Sequence, residues 1–130
     1  MPLVRIDLSS GHQPAQLAAL GDAVHQSLVA TFNVPPDDRF QVITEHPVGH
    51  GLVISPSVLG VDHTPRAVVI QITAAAGRSN DQKRALYREI AQRAAATGVV
   101  RADDVIISLV EVNRVDWSFG GGIAQYVPAG

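Results

Sequence analysis

The stretch VPPDDRFQVIT at residues 34–44 returns 66 positions later as VRADDVIISLV at residues 100–110. Both copies begin with valine, carry two aspartates at their fourth and fifth positions and continue into an apolar run. The same offset aligns further residues toward the N-terminus, namely Ile6 with Ile72, Gly11 with Gly77, Gln16 with Gln82, Leu20 with Leu86 and Val24 with Ile90. Glycines and acidic pairs seldom fall in register by chance, so the chain contains an internal repeat.

Each copy of the repeat has the pattern of a β-α-β unit. An apolar strand opens each copy, at residues 3–8 and at residues 67–72. Pro14 is a favoured first-turn residue for the helix of the first copy, and the capping-box pattern from Ser79 to Gln82 opens the helix of the second. We expect the second helix to end near Gly98, because glycine commonly follows the last helical turn.

The closing strands of the two units complete a sheet. They are predicted at residues 39–44 and 105–110, each parallel to its predecessor because a right-handed helical crossover joins them. Four strands backed by two helices predict an α+β fold, an α/β two-layer sandwich. We therefore predict one domain over residues 1–130, in which duplicated β-α-β units at 2–45 and 68–111 are related by pseudo-twofold symmetry.

Two segments lie outside the repeat. The connection at residues 46–65 is punctuated by glycine and proline, and it is too long for an idle loop, so we expect it to cover a site or a neighbouring subunit. Residues 113–127 contain a glycine triplet and are predicted to form a β-hairpin that carries Trp117 and Phe119. A small sheet with an exposed face and edge favours a homo-oligomer.

Composition excludes several classes of protein. With 130 residues and 46% hydrophobic residues, the chain can bury one core. A formal charge of -2 provides no basic field for nucleic acid. The absence of cysteine excludes disulfides, thiolate metal sites and cysteine nucleophiles. Neither a signal peptide nor a membrane span is indicated. We therefore expect a cytoplasmic protein without a cofactor, whose partners are small molecules or proteins.

Pro2 directly follows the initiator methionine at the head of the first strand. Its structural interpretation is that proline is tolerated where a strand begins, because no donor to the sheet is needed there. Its chemical interpretation is that removal of Met1 leaves a free secondary amine. Such an amine can act as a base, a nucleophile or, when protonated, an acid.

The predicted topology brings two other groups to Pro2. Parallel strands start at the same end of a sheet, so Asp38 at the head of the second strand should lie beside Pro2. If the two units pair antiparallel, the end of the third strand, followed by Arg78, reaches the same edge. Otherwise Asp38 would be a turn residue and Arg78 a solvated cation. The sequence thus predicts an amine, a carboxylate and a guanidinium at one edge.

These residues resemble the tautomerase superfamily, whose members use an amino-terminal proline on a duplicated β-α-β scaffold. Within it the chain is most similar to the malonate semialdehyde decarboxylase branch. The resemblance covers nearly the whole chain and is carried by Pro2 with residues 3–7, by 34–41, by 76–79 and by 116–120. It implies a tautomerase-like fold, a homotrimer and a small carboxylate substrate. It also implies that Pro2, Asp38 and Arg78 are catalytic, and that Trp117 and Phe119 wall the pocket.

The resemblance implies decarboxylation of malonate semialdehyde, 3-oxopropanoate. Protonated Pro2 would polarise the aldehyde oxygen, or its amine would form an iminium. Arg78 would hold the carboxylate, while an apolar wall favours loss of its charge. Asp38 would stabilise the cationic amine, or activate a water to hydrate an unsaturated acid. The decarboxylase pattern has a second arginine two positions before Arg78, where this chain has Ala76, which leaves the reaction open.

Two alternatives remain at this stage. A keto-enol tautomerase would use neutral Pro2 as a general base, whereas the nearby Asp38 favours a cation. A non-catalytic oligomeric binding module would use Pro2 only as a chain start. Replacing Pro2 by alanine separates this module from an enzyme, because binding by the module should not change.

The other polar candidates receive structural interpretations. His12, aligned with Arg78 by the repeat, is expected to be a loop or capping residue, and His25 is expected to face solvent on the first helix. His46 and His50 cannot share a helical face across Pro47 and Gly49, so no metal site is predicted. Arg39, next to Asp38, is equally suited to a structural ion pair.

Overall fold

Two β-α-β units build the fold, as the repeat predicts. The structure is a computed structural model that covers residues 1–130. In chain order, its elements are β1 (Leu3–Ser9), α1 (Pro14–Phe32), β2 (Phe40–His46), β3 (Ser57–Val58), β4 (Val61–Asp62), β5 (Val68–Ala75), α2 (Asn80–Ala96) and β6 (Val105–Val112). Single 3-10 turns lie at Ala102–Asp104 and Arg114–Asp116. The main elements of the second unit start within one residue of the positions obtained by adding the offset to the first.

The main sheet has the strand order β2-β1-β5-β6. Strand β1 is parallel to β2, β5 is parallel to β6, and the two inner strands β1 and β5 are antiparallel. Arg5 pairs with Gln71 at the centre, and the repeat offset also relates these two residues. The pseudo-twofold axis therefore passes between them, and it relates the two edges of the sheet to each other.

Equivalent glutamines open both helices. The backbone N–H of Gln13 donates to Oε1 of Gln16 at 2.8 Å, and that of Ser79 donates to Oε1 of Gln82 at 2.9 Å. Each interaction belongs to a capping box, which satisfies backbone donors that the first helical turn leaves free. In each unit, a glycine with positive φ precedes the helix, which fits the repeat of Gly11 at Gly77.

Both helices pack on one face of the sheet, and the two units share one hydrophobic core. Alternate strand residues point toward the helices, so Ile6, Ile70 and Ile72 are fully buried together with Leu86 and Ile90. The other face of the sheet is left open in one chain. Neither helix is long and apolar enough to cross a bilayer.

The segments outside the repeat differ from expectation. The connection 46–65 contains a short hairpin, β3–β4. The predicted C-terminal β-hairpin at 113–127 is wrong, because no strand follows β6. All three residues of the glycine triplet have positive φ, and they form an irregular loop rather than a turn between two strands. The N–H of Phe119 donates to the side chain of Gln125 rather than to a neighbouring strand.

Candidate active site

The predicted edge of the sheet brings a terminal amine, a carboxylate and a guanidinium to one cavity. The amino group of Met1 lies 3.4 Å from Oδ2 of Asp38. Both groups line a cavity of about 230 Å³ together with Arg78, which follows β5. Pro2 is buried next to it, at the start of β1, with its nitrogen in the peptide bond to Met1. Removal of Met1 would leave the amine on Pro2, one residue further along the chain.

The turn that carries Asp38 is held from the first helix. The N–H of Asp38 donates to the carbonyl of Pro35 at 3.0 Å, and Nε2 of His25 donates to the carbonyl of Pro36 at 2.7 Å. The expectation that His25 faces solvent is wrong, because its residue surface is only 3% exposed. The burial of His25 could have been predicted from helical spacing. It lies on one stripe of α1 with three other buried residues, Gly21, Leu28 and Phe32.

Arg78 is fixed by the end of α1. Its Nη1 donates to the carbonyl of Ala75 at 2.9 Å, and its Nη2 donates to the carbonyl of Phe32 at 3.1 Å. The guanidinium also lies 4.9 Å from the centre of the Phe32 ring. A cation is favourable at a helix C-terminus, and α1 has no basic residue in its own last turn. These contacts hold Arg78 rigidly while other N–H groups remain free for a ligand.

Two further residues of the cavity wall lie in the C-terminal segment, where the sequence analysis predicted a hairpin. They are Arg114, in the 3-10 turn after β6, and Tyr126. The hydroxyl of Tyr126 donates to Sδ of Met1 at 3.1 Å. Strand β6 is parallel to β5, so its end reaches the same edge as Arg78. That topology is the signal from which the position of Arg114 could have been found.

Trp117 and Phe119 lie behind this wall in an aromatic cluster. Their rings stack with centroids 5.5 Å apart, and Phe119 also contacts Phe40 and, edge to face, Tyr126. Of the cluster, Tyr126 lines the cavity of a single chain, whereas Trp117 and Phe119 do not. Nε1 of Trp117 is buried without a hydrogen-bond acceptor. The cluster therefore makes one side of the site apolar.

The other candidate residues pair elsewhere. Nδ1 of His12 donates to the carboxylate of Glu45 at 3.1 Å, while Nε2 of His12 accepts from Arg66 at 3.3 Å. The hydrogen bond from His12 is the main cause that lowers the pKa of the Glu45 carboxyl below its ordinary value. His12 is thus a loop residue in a polar network away from the amine.

Arg39 and His46 also have structural partners. Arg39 pairs with Asp22 at 3.2 Å and not with Asp38. His46 lies 2.7 Å from the carboxylate of Asp7, on the neighbouring strand. These contacts account for both side chains without a role in the cavity.

The largest concave surface is not the site of this chemistry. An open groove of about 620 Å³ lies at the opposite edge of the sheet, between the connection 46–65 and the start of β6. Its walls are mostly apolar, and their ionisable residues are His63 and Asp103. The groove therefore lacks the amine, carboxylate and guanidinium that the smaller cavity combines.

This combination suits a small acid with a second oxygen. A guanidinium binds a carboxylate with two parallel hydrogen bonds. An amine beside a carboxylate can hold a proton close to a ligand oxygen. An apolar wall lowers the local polarity and strengthens these interactions.

Comparisons with known proteins agree with this fold. Two family models, both described as tautomerase enzyme, match residues 38–120 and 2–57. The probable tautomerase YrdN of Bacillus subtilis (strain 168) is 38% identical over 127 residues, which are 98% of this chain and 97% of that protein. The probable tautomerase YusQ of the same organism is 40% identical over 98% of this chain and 99% of its own.

Solved structures give the same picture. A malonate semialdehyde decarboxylase inhibited by 3-bromopropiolate is 38% identical with a TM-score of 0.88, over 95% of this chain and 93% of that one. Another, solved in wild-type, mutant and inactivated forms as a structural basis for decarboxylase and hydratase activities, is 34% identical with a TM-score of 0.85, over 95% and 94%. A symmetric trimer of fused 4-OT, 21% identical with a TM-score of 0.75 over 94% of each chain, shares the fold.

Proposed function

The chain belongs to the tautomerase family of enzymes, and from this premise we propose that it uses Pro2, freed by removal of Met1, to act on small oxo or unsaturated carboxylic acids. The favoured reaction is decarboxylation of malonate semialdehyde, 3-oxopropanoate. The observation that carries the proposal is that the amine of Met1, the residue bonded to the Pro2 nitrogen, lies 3.4 Å from Asp38 in a cavity that Arg78 also lines. The likeness to two malonate semialdehyde decarboxylases supports this choice of substrate.

Each group has one task in the proposed reaction. Arg78 holds the substrate carboxylate. It thereby sets the angle between the carbonyl plane and the bond that joins the carboxylate carbon to C2 of the substrate. Protonated Pro2, stabilised by Asp38, donates a hydrogen bond to the aldehyde oxygen. The bond between the carboxylate carbon and C2 breaks, and its electron pair moves through C2 to the oxygen, which takes the proton of Pro2. Carbon dioxide leaves, and the resulting enol becomes acetaldehyde.

The apolar side of the cavity assists the departure of carbon dioxide. A carboxylate loses its charge as it becomes a neutral product, so a poorly solvating wall favours the product side. Tyr126 forms this wall in one chain, with Phe119 and Trp117 behind it. We assign Trp117 and Phe119 to substrate binding through this wall.

Keto-enol tautomerisation is the second candidate. It is favoured by the two relatives named probable tautomerase and by Ala76, which leaves the Arg78 loop with one cation. Tautomerisation needs neutral Pro2 to take a proton from carbon. An NMR titration of the Pro2 nitrogen separates the two reactions. A protonated amine at pH 7 supports the decarboxylase, and a neutral amine supports the tautomerase.

The proposal is tested with the substitution Pro2→Ala, after mass spectrometry has verified removal of Met1. The purified protein is incubated with 3-oxopropanoate, with the enol of a 2-oxo acid and with a 3-haloacrylate, and each reaction is followed by NMR. We expect turnover of 3-oxopropanoate by the wild type and its loss in Pro2→Ala. The matched control is Pro128→Ala in the exposed C-terminus, which should retain full activity.

Three results would contradict the proposal. Met1 retained on active protein would leave the Pro2 nitrogen in a peptide bond and exclude it from the mechanism. Unchanged turnover in Pro2→Ala would show that the proline nitrogen does not react. Absence of turnover with all three substrate classes would reject the proposed chemistry.

We further propose that the chain assembles as a homotrimer. Strand β2 and the connection 46–65 expose large apolar side chains, of which Val53 and Leu59 are 95% and 99% exposed. Such a surface favours association. The fold is also that of a protein solved as a symmetric trimer. Light scattering should give a mass of about 41 kDa, three times the 13.7 kDa of one chain, and a mass of one chain would contradict assembly.

A further inference from the structure

We propose that Arg114 is a second substrate-binding cation, which holds the anionic end of the substrate together with Arg78. This inference rests on the proposed function, because it names a further binding residue of the same cavity. Arg114 lines that cavity together with Met1, Asp38 and Arg78.

The first observation is that Arg114 has no acidic partner. Of the ten lysines and arginines, five lie within ion-pair distance of a carboxylate, namely Arg39, Lys83, Arg84, Arg93 and Arg101. Two of the remaining five, Arg78 and Arg114, line the same cavity. The nearest acid in sequence, Asp116, instead accepts the backbone N–H of Asn113 at 2.9 Å. Two unpaired guanidiniums therefore share one small space.

The second observation is the charge of the cavity wall. Its one carboxylate, Asp38, already lies 3.4 Å from the amine of Met1, and removal of Met1 would transfer the terminal charge to Pro2. These two groups offset each other, and the two guanidiniums remain without an anion. A ligand that supplies a carboxylate removes this imbalance, so the wall selects for acids.

The third observation is that the backbone of Arg114 is well fixed. It occupies the first position of a 3-10 turn that Asn113 connects to β6, and a capping box between Asn113 and Asp116 closes this turn. The guanidinium lies over the Tyr126 ring, 5.9 Å from its centre, and both side chains line the cavity. Position 76, in the loop before Arg78, is alanine and supplies no second cation. Arg114 provides this charge from another strand end.

The exposure of Arg114 sets the size of its effect. Water and salt screen an exposed cation, so we expect Arg114→Ala to raise KM for 3-oxopropanoate about 10-fold, less than the loss of a buried ion pair. The kcat should change by less than about 2-fold, since Arg114 forms neither a hydrogen bond nor an ion pair with Pro2 or Asp38. Arg114→Lys keeps the charge and should stay within about 3-fold of the wild-type KM.

Binding without turnover tests the inference separately from the reaction. Propanoate and propanamide are titrated into the wild type and Arg114→Ala, both with Met1 removed, and amide shifts are followed by NMR. We expect the variant to bind propanoate about 10-fold more weakly and propanamide equally well. The difference for propanoate should shrink in about 1 M salt, where screening acts within about 3 Å. Arg88→Ala, an exposed cation on α2 without an ion pair, is the control.

The outcomes for the two proposals are distinct. Equal propanoate affinity in the wild type and Arg114→Ala overturns the role of Arg114, whether or not 3-oxopropanoate is consumed. A parallel loss of propanamide binding also overturns it, because that loss would indicate a change in shape rather than in charge. Failure of the wild type to consume 3-oxopropanoate, with the propanoate effect intact, rejects the proposed decarboxylation and retains Arg114 as an anion-binding residue.

Discussion

Replacing Arg78 by lysine separates the charge of this side chain from its forked geometry. Arg78 donates hydrogen bonds to the carbonyls of Ala75 and Phe32, at 2.9 and 3.1 Å. A lysine ammonium cannot span both carbonyls and also present two parallel donors to a carboxylate. A hydrogen bond to a charged group is worth about 1.5–3 kcal/mol, and partial exposure reduces this value. We expect Arg78→Lys to lose about 1–2 kcal/mol of stability.

The effect on activity follows from the same geometry. Loss of one charge-assisted hydrogen bond to the substrate, at about 1.4 kcal/mol per tenfold change in rate, lowers kcat/KM by about 10- to 100-fold. Stability is measured by urea unfolding, and kcat/KM with 3-oxopropanoate is measured below the unfolding range. Arg88→Lys on α2 is the matched control and should change neither quantity. If Arg78→Lys kept the wild-type kcat/KM, two-point binding of the carboxylate by Arg78 would be refuted.

Three further predictions concern the supports of the site and the fold. His25→Phe should lose about 1–3 kcal/mol of stability in urea unfolding, because the carbonyl of Pro36 loses its buried donor; an unchanged midpoint would count against this role. Ser79→Ala should lose about 0.5–2 kcal/mol, as expected for a helix cap, and an equally stable variant would show that the capping box is dispensable. Glu45 has a lowered pKa in the fold, so it stabilises above the ordinary carboxyl pKa of about 4.3, and this contribution is lost as the pH falls through its folded value. Glu45→Gln should therefore be more destabilising at pH 7 than at pH 3, and an equal effect at both pH values would exclude the linkage.

The repeated part of the fold could be predicted because its signals are local and occur twice. Buried strands such as β5 read as apolar runs, and the glutamines at the helix starts mark the same turn in both units. That the start of the chain, Asp38 and Arg78 lie at one end of the sheet followed from strand direction alone, without any knowledge of side-chain packing. Topology therefore determined the position of the candidate site more than any short motif did.

The conformation of the C-terminal segment could not be predicted from local sequence patterns, because it depends on contacts with residues far away in the chain. Its glycine triplet fits a hairpin turn in isolation, yet the aromatic residues that flank it pack on Phe40 and on one another. Tyr126 contacts Met1 across 125 positions of the chain, a separation that no periodic pattern reveals. The two cavity residues missed from the sequence, Arg114 and Tyr126, both belong to this segment.

Pseudo-twofold symmetry gives the sheet two equivalent edges, and their side chains explain why the candidate site lies at one of them. Val68 corresponds to Pro2 by the repeat offset, but its nitrogen is within the chain and cannot be a free amine.

The aspartate at that second edge is also unavailable for a ligand, because it is buried and hydrogen-bonded. Asp104 corresponds to Asp38, yet it is 1% exposed and accepts hydrogen bonds from the backbone N–H and the hydroxyl of Thr64. Its carboxylate has a structural role, and the two donors of Thr64 offset the cost of burying it. His12, the counterpart of Arg78, is likewise bound to Glu45. The duplicated backbone thus provides two equivalent ends of the sheet. At the end where the chain begins, Asp38 lies beside the Met1 amine and Arg78 has no acidic partner.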